Sequence, residues 1–229
     1  MTTSGTTIFD LDIEEVIEEA YERCQSSTTS GYALRSARRS LNLLFSEWGN
    51  RGVHLWKVEL QTVALIDGQA AYTTPQATND VLEAYVSSSN TTAQNTNDVS
   101  LDKISRSAYA DLPNKFQRGQ PSQYYVDRQT QPIIYLYLTP DLSNYKFLKY
   151  YVIKRIQDAG SYTNTPDVPY RFLPCMVSGL AYYLSMKINP KLTEQLRLYY
   201  EDELQRALTE DGQRTSVFIS PQAYYGNLL

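Results

Sequence analysis

Residues 30–52 read SGYALRSARRSLNLLFSEWGNRG and residues 53–64 read VHLWKVELQTVA, and the change of period between these stretches decides the fold class. In the first stretch apolar side chains recur every three or four residues from Leu34 to Trp48, as on one face of an α-helix. A serine before this series and glycines after it are residue types that begin and end helices. The sequence therefore predicts a helix over about 30–50. A strand then follows, with one side formed by Trp56, Val58, Leu60, Thr62 and Ala64.

An acidic helix is predicted upstream, over about residues 12–25. Asp12 and Glu15 have the spacing of a capping box, in which each side chain bonds the backbone N–H of the other residue. Apolar residues then recur at helical spacing as far as Cys24. The opposite face has no apolar neighbours that would desolvate its carboxylates, so we interpret it as a solvated surface. That face carries Glu14, Glu15, Glu18, Glu19 and Glu22.

The middle of the chain is predicted to be β-rich. The Asp67-Gly68 pair lies between two strand-like segments and predicts a tight hairpin turn. Further strand candidates are residues 81–86, 123–127, 133–139 and 145–157. About six antiparallel strands predict a small sandwich or barrel. The polar run SSSNTTAQNTND from Ser87 to Asp98 has no large apolar side chain and is predicted to be a mobile, projecting loop.

Two more helices are predicted after the β region, at residues 169–188 and 190–211. Pro174 falls in the first turns of the earlier helix, where its missing N–H is tolerated. Asn189 followed by Pro190 is predicted to cap and start the later helix. The predicted buried faces consist of Phe172, Leu173, Met176, Val177, Leu180, Ala181 and Leu184, and then of Leu192, Leu196, Tyr199, Glu203, Leu204, Ala207 and Leu208. The final segment, 213–229, is apolar but has no period, which indicates a need for a partner.

Composition limits the class of protein. With 42% hydrophobic and 20% charged residues the chain is in the globular range, and the polar N-terminus predicts no export. No apolar run approaches the ~20 residues of a membrane span, so no membrane partner is expected. A net charge of -4 argues against a surface that grips nucleic acid throughout. The 20 tyrosines are typical of extensive protein contacts, and Cys24 and Cys175 are predicted to be buried free thiols.

No constellation of residues indicates catalysis, and we predict no catalytic residue, no metal and no cofactor. His54 is the single histidine, which excludes a histidine pair, and neither a zinc-type cysteine spacing nor a phosphate-binding glycine loop is present. Two alternatives stay open. The acidic helix has carboxylates of the kind used in glycoside hydrolysis. Basic clusters suited to nucleic acid consist of Arg35, Arg38 and Arg39 beside Tyr32, and of Lys146, Lys149, Lys154 and Arg155.

A series of segments between about Asp12 and Gly212 carries a resemblance to a known family. In chain order they are ARRSLNLLFSEWGNRG, LWKVEL, YYVDR, IIYLYLTP, YYVIKRI, VPYRFLPCMVSGLAYYLSMK and YYEDELQRAL. This order resembles the adaptor proteins of short-tailed phages, also called tail tubular protein A or head-to-tail connector subunits. The resemblance implies an α+β fold with a four-helix body from both chain ends and an inserted antiparallel β domain. The implied bounds are 1–52 for the N-terminal helical hairpin, 53–166 for the β domain, 167–212 for the C-terminal helices and 213–229 for an extended tail.

The resemblance also implies a function. The chain would be a structural, non-enzymatic subunit of the virion neck, made in the host cytoplasm. Copies would form a twelve-fold ring that joins the portal protein to a tail nozzle or tail tube protein. DNA would be ejected through the channel of this ring without sequence-specific binding. The alternatives are a virion-associated cell-wall hydrolase and a DNA-binding accessory protein.

Two groups of residues are predicted to make the contacts of such an assembly. The portal would be bound by the tail residues Val217, Phe218, Ile219, Tyr224, Tyr225, Leu228 and Leu229. The arginines of the second helix are predicted to face either the acidic helix or another subunit. The candidates for contacts between subunits are therefore Arg35, Arg38, Arg39, Glu15, Glu18 and Glu22.

Overall fold

The computed structural model describes Gly5 and residues 11–27, 30–90 and 97–212. These residues form five α-helices and two four-stranded sheets, which confirms the predicted α+β class. The helices are α1 (Ile13–Arg23), α2 (Gly31–Asn50), α3 (Arg106–Asp111), α4 (Leu173–Ile188) and α5 (Thr193–Asp211), with 3-10 turns at Leu55–Lys57, Tyr170–Phe172 and Pro190–Leu192. The strands are β1 (Val58–Ala64), β2 (Ala71–Thr73), β3 (Thr78–Ser87), β4 (Asp98–Ser100), β5 (Asp102–Lys103), β6 (Gln123–Asp127), β7 (Ile133–Tyr137) and β8 (Phe147–Lys154).

The caps of the first two helices are those that the sequence predicts. Asp12 accepts a hydrogen bond of 2.8 Å from the Glu15 backbone N–H, and Glu15 accepts one of 3.1 Å from the Asp12 N–H. Ser30 accepts from the backbone of the third residue of α2 at 3.2 Å. Asn189 occupies the predicted N-cap position with Pro190 after it, but the element that begins there is a 3-10 turn, and the Asn189 side chain donates to the carbonyl of Cys24 at 3.4 Å. A 3-10 turn therefore precedes α5.

Helix α4 packs against α1, α2 and α5 in one apolar core. Gly179 permits the close approach, since a Cβ atom there would lie 2.9 Å from side-chain atoms of both Leu44 and Tyr200. Trp48 is fully buried in this core, and its Nε1–H donates to the Tyr200 hydroxyl at 2.9 Å. Gly179 and Trp48 thus fix how α2 and α5 pack against α4.

The predicted buried face of α5 is partly wrong. Tyr199 is 55% exposed and Tyr200 is fully buried. Helical spacing is satisfied whether Tyr199 or Tyr200 faces the core. Tyr200 is the buried residue because it contacts α2 and α4. The buried residues of α5 are Leu196, Tyr200, Leu204 and Ala207.

The two sheets enclose a second apolar core between them. Their strand orders are β1-β8-β3-β4 and β2-β7-β6-β5. Strands of both sheets contribute fully buried side chains, among them Val81, Tyr150, Ile134 and Leu136. The sequence predicted a small sandwich or barrel, and this arrangement of two sheets is the sandwich; the sequence predicted about six strands and missed the short β4 and β5. The sandwich also contains one parallel pair, β5 with β6.

The Asp67-Gly68 sequence forms a turn but not the predicted hairpin. Gly68 has a φ of +73°, a backbone conformation that glycine adopts without strain. However, β1 before the turn pairs with β8 in one sheet, and β2 after it pairs with β7 in the other. The turn therefore carries the chain from one sheet to the other. The core side of β1 is the one that carries Val63, which packs against the second core, while Thr62 and Ala64 on the other side are exposed.

The chain crosses between the two cores twice, and Asp167 bonds to residues of both crossings. The first crossing contains Trp56 and Lys57, and the second contains Gln157. The Asp167 carboxylate lies 2.5 Å from the Lys57 ammonium and accepts a hydrogen bond of 3.2 Å from the Gln157 backbone N–H. Its carbonyl accepts from the Trp56 indole at 3.3 Å. The indole ring also packs on Phe172, with ring centroids 4.8 Å apart.

The ends of the predicted polar loop belong to the sheet. Ser87 is fully buried in β3, and it pairs with Asp98 in β4. The backbone N–H of Ser88 also donates to the carbonyl of Asn97 at 3.3 Å. The loop is therefore shorter than the sequence predicted, and its residues 91–96 lie outside the described residues.

Replacing residues 91–96 by a short Gly-Ser link is expected to change the free energy of unfolding by less than about 0.5 kcal/mol. The β3–β4 pairing stays intact in this variant, and the entropy of closing a loop varies slowly with its length. Urea unfolding of both proteins measures the difference. A link that also replaces Ser87 and Asp98 is the matched comparison and should cost more, because it removes a buried strand residue. A loss above about 2 kcal/mol in the shorter replacement would show that residues 91–96 pack against the fold.

Candidate assembly surface

A groove of about 900 Å³ lies between α1 and the start of α4. Its floor is apolar and its rim is acidic, because the exposed face of α1 borders it on one side. We call it the acidic groove. Its floor residues are Leu11, Tyr170, Leu173, Pro174 and Val177, and its rim residues are Glu15, Glu18, Glu19, Glu22 and Arg23.

Some rim carboxylates form bonds within the fold, and others form no ion pair among the described residues. Glu15 bonds the backbone of Asp12, and Glu19 forms an ion pair of 2.9 Å with Arg23. Glu18 and Glu22 form no ion pair with any cation in the described segments. They are exposed and follow Glu14 at intervals of four residues, a spacing at which like charges on a helix repel. The groove thus presents uncompensated negative charge around an apolar floor.

A basic surface occupies the first half of α2. We call it the basic patch, which consists of Tyr32, Arg35, Arg38 and Arg39 around a depression of about 340 Å³. Arg35 bonds only the carbonyl of Gly31 in its own helix, at 3.2 Å, as far as the described chain shows. Arg38 is held by the fold, since it donates to the Gly160 carbonyl at 3.0 Å and lies over the Tyr162 ring.

Lys187 of α4 adds positive charge next to the basic patch. Its ammonium donates to the Ser40 hydroxyl at 2.7 Å. Partial burial, and then the nearby charge of Arg39, lower the pKa of Lys187 below its ordinary value. Neither Arg39 nor Lys187 has a carboxylate within 4 Å among the residues described. The patch is therefore an accumulation of like charge that no carboxylate of the described residues neutralises at Arg39 or Lys187.

Comparison with family models decides the identity of the chain. The model of the SU10 adaptor protein family matches residues 12–223, almost the whole chain. The chain belongs to this family. It is a family of phage head-tail adaptors, so the resemblance inferred from the sequence is confirmed. A search of curated proteins gave no match.

Membership of the SU10 adaptor family implies a structural role in a phage and a place in the virion. No described helix of the adaptor is long and apolar enough to cross a membrane. The relevant geometry of this adaptor is therefore that of its surfaces, above all the acidic groove and the basic patch.

The predicted contact residues of the adaptor fall into three sets. The structure brings Glu15, Glu18 and Glu22 together at one groove, and it places Arg35, Arg38 and Arg39 on another surface. The two surfaces share no residue, and no ion pair joins them within the described chain. The seven predicted portal-binding residues, from Val217 to Leu229, lie outside the described residues.

The floor of the acidic groove was missed by sequence reasoning. Leu173 and Val177 were predicted only as core residues of α4, and both are indeed buried. Tyr170, which is 65% exposed, carries no periodic signal because it lies in the 3-10 turn before the helix. The position of this turn against α1 depends on tertiary packing, so no local pattern would reveal the groove.

The residues weighed for catalysis have ordinary structural surroundings. His54 borders a depression at the end of α2, with its Nδ1 buried and unpaired in the described structure. Both cysteines are buried free thiols, as predicted. Burial raises the pKa of the Cys24 thiol to about 11 and that of Cys175 to about 12, so their reactive thiolate forms are scarce at neutral pH. The described residues contain no group of three or more side chains suited to a metal ion.

Proposed function

We propose that the adaptor forms a twelve-fold ring that joins the portal to the tail nozzle or tail tube and lets DNA pass through its channel. The observation that carries this proposal is the family match over residues 12–223. In this function the protein acts by its shape and its contacts, and it needs neither a cofactor nor a bound metal.

The surfaces of the adaptor support a ring. A closed ring of identical subunits repeats one contact between two different surfaces of the same chain. The acidic groove and the basic patch are suited to such a contact, because they lie on different helices and carry opposite charge. Glu18, Glu22, Arg35 and Arg39 form no ion pair among the described residues.

The portal contact is assigned to residues 213–229. Large apolar side chains at Phe218, Ile219, Tyr224 and Tyr225 are suited to apolar grooves of a partner. One such segment per subunit gives a multivalent attachment, in which modest individual contacts become effectively permanent.

The alternatives are less well supported by the geometry. A glycoside hydrolase requires one carboxyl group kept protonated by an apolar pocket, whereas the carboxylates of the acidic groove are exposed. Two residues of the basic strand cluster proposed for DNA form ion pairs within the fold. Lys149 pairs with Asp98 at 3.2 Å and Lys154 pairs with Glu59 at 2.6 Å. We therefore assign to the adaptor a channel through which DNA passes, without sequence-specific binding.

Electron cryomicroscopy of virions containing the adaptor tests the proposal. We expect a ring of this fold between the portal and the first tail component, with residues 213–229 in contact with the portal. Virions in which the adaptor is absent from the neck would contradict the proposal. Reproducible degradation of cell wall by the purified protein would favour the hydrolase instead.

A further inference from the structure

We infer that the acidic groove of one subunit holds the basic patch of a second copy of the chain, with Tyr32 inserted over the apolar floor between the flanking charges. The inference rests on the proposed function, because it names the contact that repeats around the ring. It assigns Glu18 and Glu22 as partners of Arg35 and Arg39 of the neighbouring copy.

The charge of α1 is the first step of the argument. Glu14, Glu18 and Glu22 are spaced by four residues, and neighbouring like charges at this spacing destabilise a helix. The capping box and the Glu19–Arg23 pair use the other two glutamates of this face, but nothing in the described chain compensates Glu18 or Glu22. The fold of the single subunit therefore gains nothing from these two charges, whereas a cationic partner would.

The shape of the groove is the second step. Apolar side chains of α4 and the preceding turn line it together with the carboxylates of α1. Interfaces commonly have this arrangement, with an aromatic anchor in the centre and charged groups around it. The basic patch is complementary, since Tyr32 is 68% exposed beside Arg35.

The free cations are the third step. Arg35 and Arg39 have no carboxylate partner among the residues described, and Arg39 lies close enough to Lys187 to lower its pKa. Arg38 is excluded from the proposed contact because Gly160 and Tyr162 already hold it. An acidic partner surface would relieve this repulsion, and the acidic groove of another copy supplies one with matching charge. Such opposite fields also guide subunits into the correct orientation during association.

The test is a charge exchange in the full-length chain. Arg35→Glu with Arg39→Glu makes both surfaces acidic, and Glu18→Lys with Glu22→Lys makes both surfaces basic. Each double variant alone should join portal-bearing heads about tenfold less well than the parent, because two attractive pairs become repulsive. An equimolar mixture should restore assembly, since every contact in an alternating ring is then again between opposite charges. The chain that carries all four substitutions should assemble as well.

Matched controls separate this contact from net charge and from misfolding. Arg106→Glu with Lys191→Glu changes the net charge as much as the arginine variant does, at exposed positions outside both surfaces. Asp111→Lys with Glu210→Lys does the same for the glutamate variant. Neither control should alter assembly. Glu18→Lys alone should raise the melting temperature of the subunit, because it replaces repulsive spacings in α1 by attractive ones. A folded, more stable variant that assembles poorly is the expected signature of a contact between subunits.

The readouts are adaptor copies per head, from quantitative gels, and self-association, from sedimentation velocity. Double variants that assemble like the parent, or a mixture that fails to restore assembly, would overturn the inference and leave the proposed function standing. A parent protein that never joins heads, yet self-associates with the charge-exchange pattern above, would overturn the proposed function and leave the contact standing.

Discussion

Deletion of residues 213–229 is expected to leave a folded subunit that no longer joins portal-bearing heads. All the described residues of both apolar cores lie before Gly212, so we expect the melting temperature to change little. Helix α5 also ends within the remaining chain, where the Gly212 N–H donates to the Leu208 carbonyl at 3.0 Å. Each large apolar side chain of the deleted segment would contribute roughly 1.5–3 kcal/mol on burial, and the proposed ring would repeat this contribution in every subunit. Co-sedimentation of the truncated protein with heads that lack tails measures the loss.

Single substitutions provide the control for this deletion. Phe218→Ala or Tyr224→Ala should weaken attachment only in part, because the other anchors and the other subunits remain. A truncated protein that docks with undiminished occupancy would show that the helices, rather than residues 213–229, bind the portal.

Trp48→Ala is expected to lower the free energy of unfolding by about 3–5 kcal/mol, which is the cost of truncating a large buried aromatic side chain. Trp48 is fully buried, with its ring centroid 5.9 Å from that of Phe45 and 5.8 Å from that of Phe172. The substitution leaves a cavity where α2 meets the start of α4. It also removes the indole hydrogen bond to the Tyr200 hydroxyl, which keeps only its bond to Glu47.

Urea unfolding followed by circular dichroism checks this value. Tyr32→Ala is the matched aromatic control on the same helix, and it should change the free energy of unfolding of the isolated subunit by less than about 0.5 kcal/mol. A loss of less than about 1 kcal/mol for Trp48→Ala would contradict the central position of this side chain in the helical core.

The helices were predictable where their chemistry is local. The capping box at Asp12 and Glu15 and the Ser30 cap depend on residues three positions apart, so the sequence contains all the necessary information. The turn at Gly68 was recognised, but the sheet that each flanking strand joins depends on β7 and β8, which are far away in sequence. The exposed glutamates of α1 were likewise predictable, whereas the floor of the acidic groove required the docking of the turn before α4.

The two crossings between the cores determine how force would pass from the sandwich to the helices of the adaptor. Both covalent connections are fixed to the same residue, since Asp167 bonds Lys57 and Trp56 in one and Gln157 in the other. A force that twists the sandwich would therefore act on both connecting segments. It would pass through the contact between Trp56 and Phe172 to the first turn of α4. Residues of that turn also line the acidic groove. Strain arising at the sandwich would thus reach the acidic groove, and in the proposed ring it would pass from there to the neighbouring subunit.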